Sequence, residues 1–214
     1  MLRTTFFAVF RAYTLSRLIG VAVHETAHAG AVIVSGGRIT EFDITSHVEH
    51  EGRYSLAQQL TISYAPLVVN TLLAGLLAFG AMGLPQTEIP STLSTQVGDI
   101  LPVPAATLGL QAAALTVAFS LGATALPSVE DALSPYQRVA HQFRHPTIKG
   151  LVLLPFELPI LVVFVVPLAF AYVRSKSFVL SIVSEIGFAV VVLAQATGTV
   201  NLLYYVGRYS SEVI

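Results

Sequence analysis

Cysteine is absent from this 214-residue chain, and charge is scarce. The first absence removes disulfides, thiolate metal sites and cysteine nucleophiles together, and it leaves the redox compartment open. The second excludes more. Only 11% of residues are charged, against about a quarter in a soluble domain. The formal net charge is −1, so no basic field for nucleic acid exists. Arg3, Arg11 and Arg17 are spread through the N-terminal region. No short basic start precedes an uninterrupted apolar core, so no cleavable signal peptide is expected. Internal repeats and low-complexity tracts are also missing.

What remains is hydrophobic: 54% of the residues, with a mean hydropathy of +0.74. Apolar runs near or above the spanning length of about 20 residues recur along the chain. The expected fold is an α-helical integral membrane protein with about five transmembrane helices, or six, in a cell membrane. Spans are expected at about 14–35 (starting as early as Thr5), 57–83, 105–126, 151–173 and 178–206. Gly36-Gly37 should stop the first. Residues 38–55 mix apolar and polar positions in an imperfect strand pattern, which predicts a small β-hairpin at the membrane surface. Pro66 lies inside the second span, where it can kink the helix. Residues 84–104 hold four prolines and no Lys or Arg and read as an aqueous loop. Residues 127–150 read as polar and partly helical. In a five-span arrangement six Lys/Arg fall on one side and five on the other, so the positive-inside rule leaves orientation undecided. The loop without Lys or Arg slightly favours placing itself, and with it the N-terminus, outside.

The first span carries an anomaly. His24, Glu25 and His28 stand in the run VAVHETAHAGAVIV. Each ionisable group near the bilayer centre costs about 2.5–3.5 kcal/mol on insertion scales. Apolar flanks on both sides argue against simple snorkelling to water. The spacing is H-E-x-x-H, which on a helix puts both imidazoles on one face, where they can share one Zn²⁺. Glu25 sits beside them, placed as general base on a metal-activated water. A catalytic zinc takes three protein ligands. Asp131, in ALPSVEDA after the third span, is the leading candidate, with Glu130 and Glu157 as alternatives. Iron or cobalt would suit similar ligands.

These segments resemble the site-2 protease family of intramembrane zinc metalloproteases. HETAH lies in a span. ISYAPLVVNTLLAGLL, residues 62–77, is similar to the family's Ala-Gly-Pro-x-x-Asn segment, and ALPSVEDA to the later segment in which a proline precedes an Asp ligand. A β insertion at about 37–55 also fits. Three departures mark a divergent member: Ala65 replaces the usual Gly, Asn70 is four residues after Pro66 where the family usually has it three after, and Asp131 is followed by Ala132. The resemblance covers roughly residues 15–135.

It implies a three-helix catalytic core with the hairpin in residues 1–135; the additional transmembrane helices expected in 136–214 come from the apolar runs and are not anchored by it. It implies one Zn²⁺ on His24, His28 and Asp131, Glu25 as base, and hydrolysis of peptide bonds in a transmembrane protein substrate. Asn70 would help hold the reacting peptide or its oxyanion; the alternative is an amide that joins helices. Residues 38–45 are the candidate edge for an extended substrate, or else the hairpin shields the site. Competing functions are a membrane zinc hydrolase acting on lipid-like amides or esters, and a non-enzymatic metal-binding transporter or scaffold. Glu157 and Glu185 stand unexplained inside the last two spans, as functional carboxylates or as groups protonated or paired between helices. His141 and His145 repeat the i, i+4 spacing in a polar stretch and read as a surface pair, with a second metal site as the lesser alternative. His47 and His50 read as exposed hairpin residues, with gating or substrate contact as the lesser alternative.

Overall fold

The computed structural model describes residues 2–83 and 103–212. The 84–104 loop, on which the weak orientation argument leans, lies outside them except for its last two residues. Six helices and one hairpin make up the described chain: α1 (Leu2–Val34), β1 (Arg38–Asp43), β2 (His47–Glu51), α2 (Leu56–Gly83), α3 (Val103–Ala123), α4 (Val129–Arg144), α5 (Ile148–Ser175) and α6 (Phe178–Glu212). Among the described residues, three helices are long and apolar enough to cross a membrane: Leu56–Met82, Ile148–Ser175 and Phe178–Thr199. Gly109–Ala123 is a shorter apolar helix. α1 is not in this set. Arg17 and the His24–His28 segment interrupt its apolar run.

Local chemistry sets the boundaries. α1 ends where Gly36 turns to φ +77°. The Gly36 amide returns to the Ile33 carbonyl and the Gly37 amide to the Val32 carbonyl, both at 2.9 Å. This is the Schellman closure, in which a glycine takes the left-handed position without a Cβ penalty. The hairpin turns at Asp43, whose Oδ1 accepts from the Thr45 amide (2.8 Å) and hydroxyl (2.7 Å). Hydrogen bonds from Thr45, then Ser46, hold this exposed carboxyl down at about 2. The strands pair antiparallel, with a register shift between Ile39 and Glu41. Pro66 is buried within α2, which continues through it.

Small side chains let the helices approach. α1, α2 and α3 pack mutually, α6 lies on α2 and α3, and α5 on α4 and α6. Ala74 with Leu121 and Val192, and Ala78 with Ala118 and Ala196, fill the seams between α2, α3 and α6. Gly122 meets Ala189 so closely that a Cβ there would lie 3.0 Å from the Ala189 Cα. Close backbone packing of this kind is how helices associate where lipid is as apolar as leucine. The outer faces of α5 and α6 stay apolar and exposed, Val166 by 74%.

One knot ties the first three helices. The Gly20 amide donates to Ser120 Oγ (3.0 Å), and Asn70 Nδ2 donates to the Gly20 carbonyl and to Thr124 Oγ1 (both 3.1 Å). Asn70 is 0% exposed. A Cβ on Gly20 would collide with the Ser120 carbonyl and the Thr124 hydroxyl, whereas one on Gly30 meets open space. Gly20→Ala is therefore expected to destabilise the protein by about 1–3 kcal/mol through overpacking. Gly30→Ala should stay within about 0.5 kcal/mol. Unfolding both variants in the same detergent checks this, and equal stabilities would contradict the packing.

Candidate metal centre

His24 and His28 lie one turn apart on α1, with ring centroids 4.9 Å apart and planes at 72°. Each ring is oriented by a backbone carbonyl. His24 Nδ1 lies 2.7 Å from the Thr124 carbonyl at the end of α3, and His28 Nδ1 lies 2.8 Å from the Ile62 carbonyl of α2. A carbonyl oxygen only accepts, so each Nδ1 carries a proton and donates it. A neutral ring then presents Nε2 as a lone pair. Fixing the ligating nitrogen through the other ring nitrogen is the usual support of a metal-bound histidine.

Both Nε2 atoms face Asp131. His28 Nε2 is 3.3 Å from Asp131 Oδ1, and His24 Nε2 is 3.9 Å from Asp131 Oδ2. Ligand atoms of the three residues all lie within 4.8 Å of one another. Two lone pairs and a carboxylate converging on one point repel unless a cation stands between them. That cation is either a proton on one imidazole or a metal ion. The donor set of two imidazoles and a carboxylate fits zinc.

Asp131 is held by its own helix start. Ser128 is the N-cap of α4, and Asp131 is the third helical residue. Asp131 N donates to Ser128 Oγ (3.0 Å), while Ser128 N and Oγ donate to Asp131 Oδ2 (2.9 and 2.7 Å). This reciprocal capping box leaves Oδ1 turned to His28. Burial alone would push the Asp131 carboxyl up. When the cation is a proton on His28, its hydrogen bond and charge, with the two bonds from Ser128, outweigh burial and hold the Asp131 carboxyl at about 2.

The other expected residues fall in different places. Glu25 is buried on α1 and lines two cavities that meet at the site. The larger, about 340 Å³, lies under the hairpin; the smaller, about 160 Å³, is lined on its far side by Arg17, Arg174 and Glu185. Glu130 lines the larger cavity but is not within the ligand cluster. Glu157 is engaged by Arg138 Nη1 at 2.9 Å, away from the histidines. Glu185 is paired with Arg17 Nε at 3.3 Å. Both carboxylates thus join helices through arginines, the paired alternative of the sequence reading.

Asn70, the expected peptide or oxyanion holder, does not line either cavity. Its amide joins α1, α2 and α3 instead. Ser46, His47, Val48 and His50 bring the turn and β2 to the larger cavity, and residues 38–45 do not line it. The strand beside the site is therefore β2, not the expected 38–45 edge. His50 is half-buried, not exposed, and burial, then the nearby charge of His28, lowers its pKa. His141 and His145 are exposed with rings 4.7 Å apart, and among the described residues they belong to no cluster of three metal-ligating groups.

Several residues went unnoticed in the sequence. Ser128 could have been found from the S-x-x-D cap pattern before an amphipathic helix. Gln59, hydrogen-bonded to Ser134 across the cavity floor, and Arg138, which also donates to the Tyr54 carbonyl (2.7 Å), carry no sequence signal of their own. No family model matches this chain, and neither does any curated protein or solved structure.

Ser128→Ala removes both the cap and the brace on Asp131. It is expected to destabilise the protein by about 0.5–2 kcal/mol and, for a zinc ion held on the three side chains, to lower the affinity about 10–100-fold. Competition against a chelator of known affinity measures the second effect. Unchanged affinity would show that Ser128 does not orient a ligand.

Proposed function

We propose that this chain is an integral membrane zinc metallopeptidase of the site-2 protease type, with α1, α2, α3, α5 and α6 as five membrane spans. The observation that carries the reading is the convergence of His24 Nε2 and His28 Nε2 on the Asp131 carboxylate, with Glu25 beside them at the meeting of two cavities. The H-E-x-x-H spacing alone gives two ligands and a base. The capped Asp131 gives the third ligand, from a helix more than a hundred residues later in the chain.

His24, His28 and Asp131 would hold the ion, which when bound acidifies a water and polarises the scissile carbonyl. Glu25 takes a proton from the attacking water as its oxygen bonds to the carbonyl carbon. Glu25 then gives that proton to the leaving nitrogen as the C–N bond breaks. Its position on both cavities lets it meet water from one side and substrate from the other. A helical substrate has its carbonyls locked in hydrogen bonds and must unwind first. The hairpin favours a peptide over a lipid amide here, because β2 borders the larger cavity and can receive an extended segment by strand addition.

Glu25→Gln is expected to keep zinc at the wild-type stoichiometry and to lose cleavage of a transmembrane substrate in proteoliposomes. Asp131→Ala should lose the metal, while Glu130→Ala and Glu157→Ala retain it. Metal analysis of the purified variants, run beside the cleavage assay, reads both. Undiminished cleavage by Glu25→Gln, or a metal-replete Asp131→Ala, would contradict the assignment.

A further inference from the structure

Attack on a peptide carbonyl builds negative charge on its oxygen, and one preorganised donor at that oxygen is worth about 10²–10³ in rate. Asn70 does not supply it, since its Nδ2 donates to Gly20 and Thr124 and it stays off the cavities. Most donors around the larger cavity are also committed. Gln59 Nε2 donates to Ser134, and Ser128 Oγ to Asp131. Ser46 Oγ and His47 Nδ1 bond each other (2.9 Å), and His47 Nε2 lies 3.5 Å from Glu41 Oε1.

His50 stands apart. It lines the cavity from β2, on the wall facing the helix that carries His24 and His28. Its Nδ1 is buried with no hydrogen-bond partner. A buried N–H without an acceptor is rarer and costlier than a buried lone pair. The neutral ring therefore keeps its proton on Nε2. The ring is also packed from one side. It meets the Tyr54 ring edge-on at 5.3 Å, and the Tyr54 hydroxyl donates to the Glu51 carbonyl at 3.1 Å. A donor held by its surroundings before substrate arrives is what charge stabilisation requires.

We propose that His50 is a catalytic residue of this site, donating from Nε2 to the oxygen of the attacked peptide carbonyl; this rests on the peptidase reading above. As the water oxygen bonds to carbon, its proton passes to Glu25 and the carbonyl π pair moves to oxygen, where the charge meets the His50 N–H. The pair then returns, the C–N bond breaks, and the amine leaves with the proton from Glu25. His50 neither gains nor loses a proton.

The test uses the full-length, zinc-loaded protein and a peptide phosphinate, a tetrahedral oxyanion mimic, matched to the cleaved segment. His50→Ala should lower kcat by about 10²-fold with KM and zinc content unchanged. It should weaken phosphinate binding by a similar factor, while affinity for intact substrate, measured in the Glu25→Gln background, stays constant. His50→Gln, which keeps an N–H at a similar reach, should recover about tenfold of the loss in kcat, a fraction of the effect of one donor. A His50→Ala enzyme with wild-type kcat and phosphinate affinity overturns the proposal and leaves the peptidase reading standing. So does a variant that loses zinc or changes only KM, since a structural role then accounts for it. If the wild type cleaves no peptide, or Glu25→Gln cleaves as well as it does, the peptidase reading falls and His50 falls with it.

Discussion

His24 and His28 each commit Nδ1–H to a backbone carbonyl, one at the end of α3 and one in α2. Those two bonds make the ligating face of α1 depend on the other two helices of the core. They fix the tautomer and aim both Nε2 atoms at the Asp131 carboxylate of α4, the arrangement that a shared metal ion would need. The backbone carbonyls are themselves placed by helix packing. The Gly20–Ser120 approach and the Asn70 amide lock α1, α2 and α3 one turn before His24. Loosening that knot would move the Thr124 carbonyl and with it the His24 ring.

The same economy of polar groups runs through the apolar body. Glu157 and Glu185 are each met by an arginine from a different helix. A carboxylate in a helix apolar enough to cross a membrane is tolerated when it is paired, and here the pairs also fasten α5 to α4 and α6 to α1. Arg138 reaches further, to the Tyr54 carbonyl where the hairpin returns to α2. The hairpin wall of the larger cavity is thereby tethered to α4, the helix that supplies Asp131.

Much of this was legible in the sequence because the signals are local. Gly36-Gly37 stops α1 through a left-handed glycine. The 38–55 pattern becomes two paired strands, and the polar stretch after Pro127 becomes an amphipathic helix. His24, Glu25 and His28 announce themselves by spacing alone. Asp131 could be ranked ahead of Glu130 and Glu157 but not placed, because its position depends on the Ser128 cap and on how α4 meets α1. Long-range partners were invisible for the same reason. Nothing near Asn70 shows that its amide is taken up by Gly20 and Thr124, and nothing near Glu157 shows Arg138. Residues 38–45 are the candidate substrate edge in the sequence, yet β2 borders the larger cavity, because alternation marks a strand without telling which neighbour lies beside the helices.

X-ray absorption at the zinc edge of the purified, zinc-equilibrated protein reads whether His24, His28 and Asp131 surround one divalent metal ion, as proposed. The expected spectrum shows one zinc per chain in a shell of light N/O donors, with two imidazole nitrogens at about 2.0–2.1 Å and a carboxylate oxygen at about 2.0–2.2 Å. Zinc far below one per chain at saturation, or a shell without imidazole scattering, would contradict it and leave His28 and Asp131 as a simple proton-bridged pair.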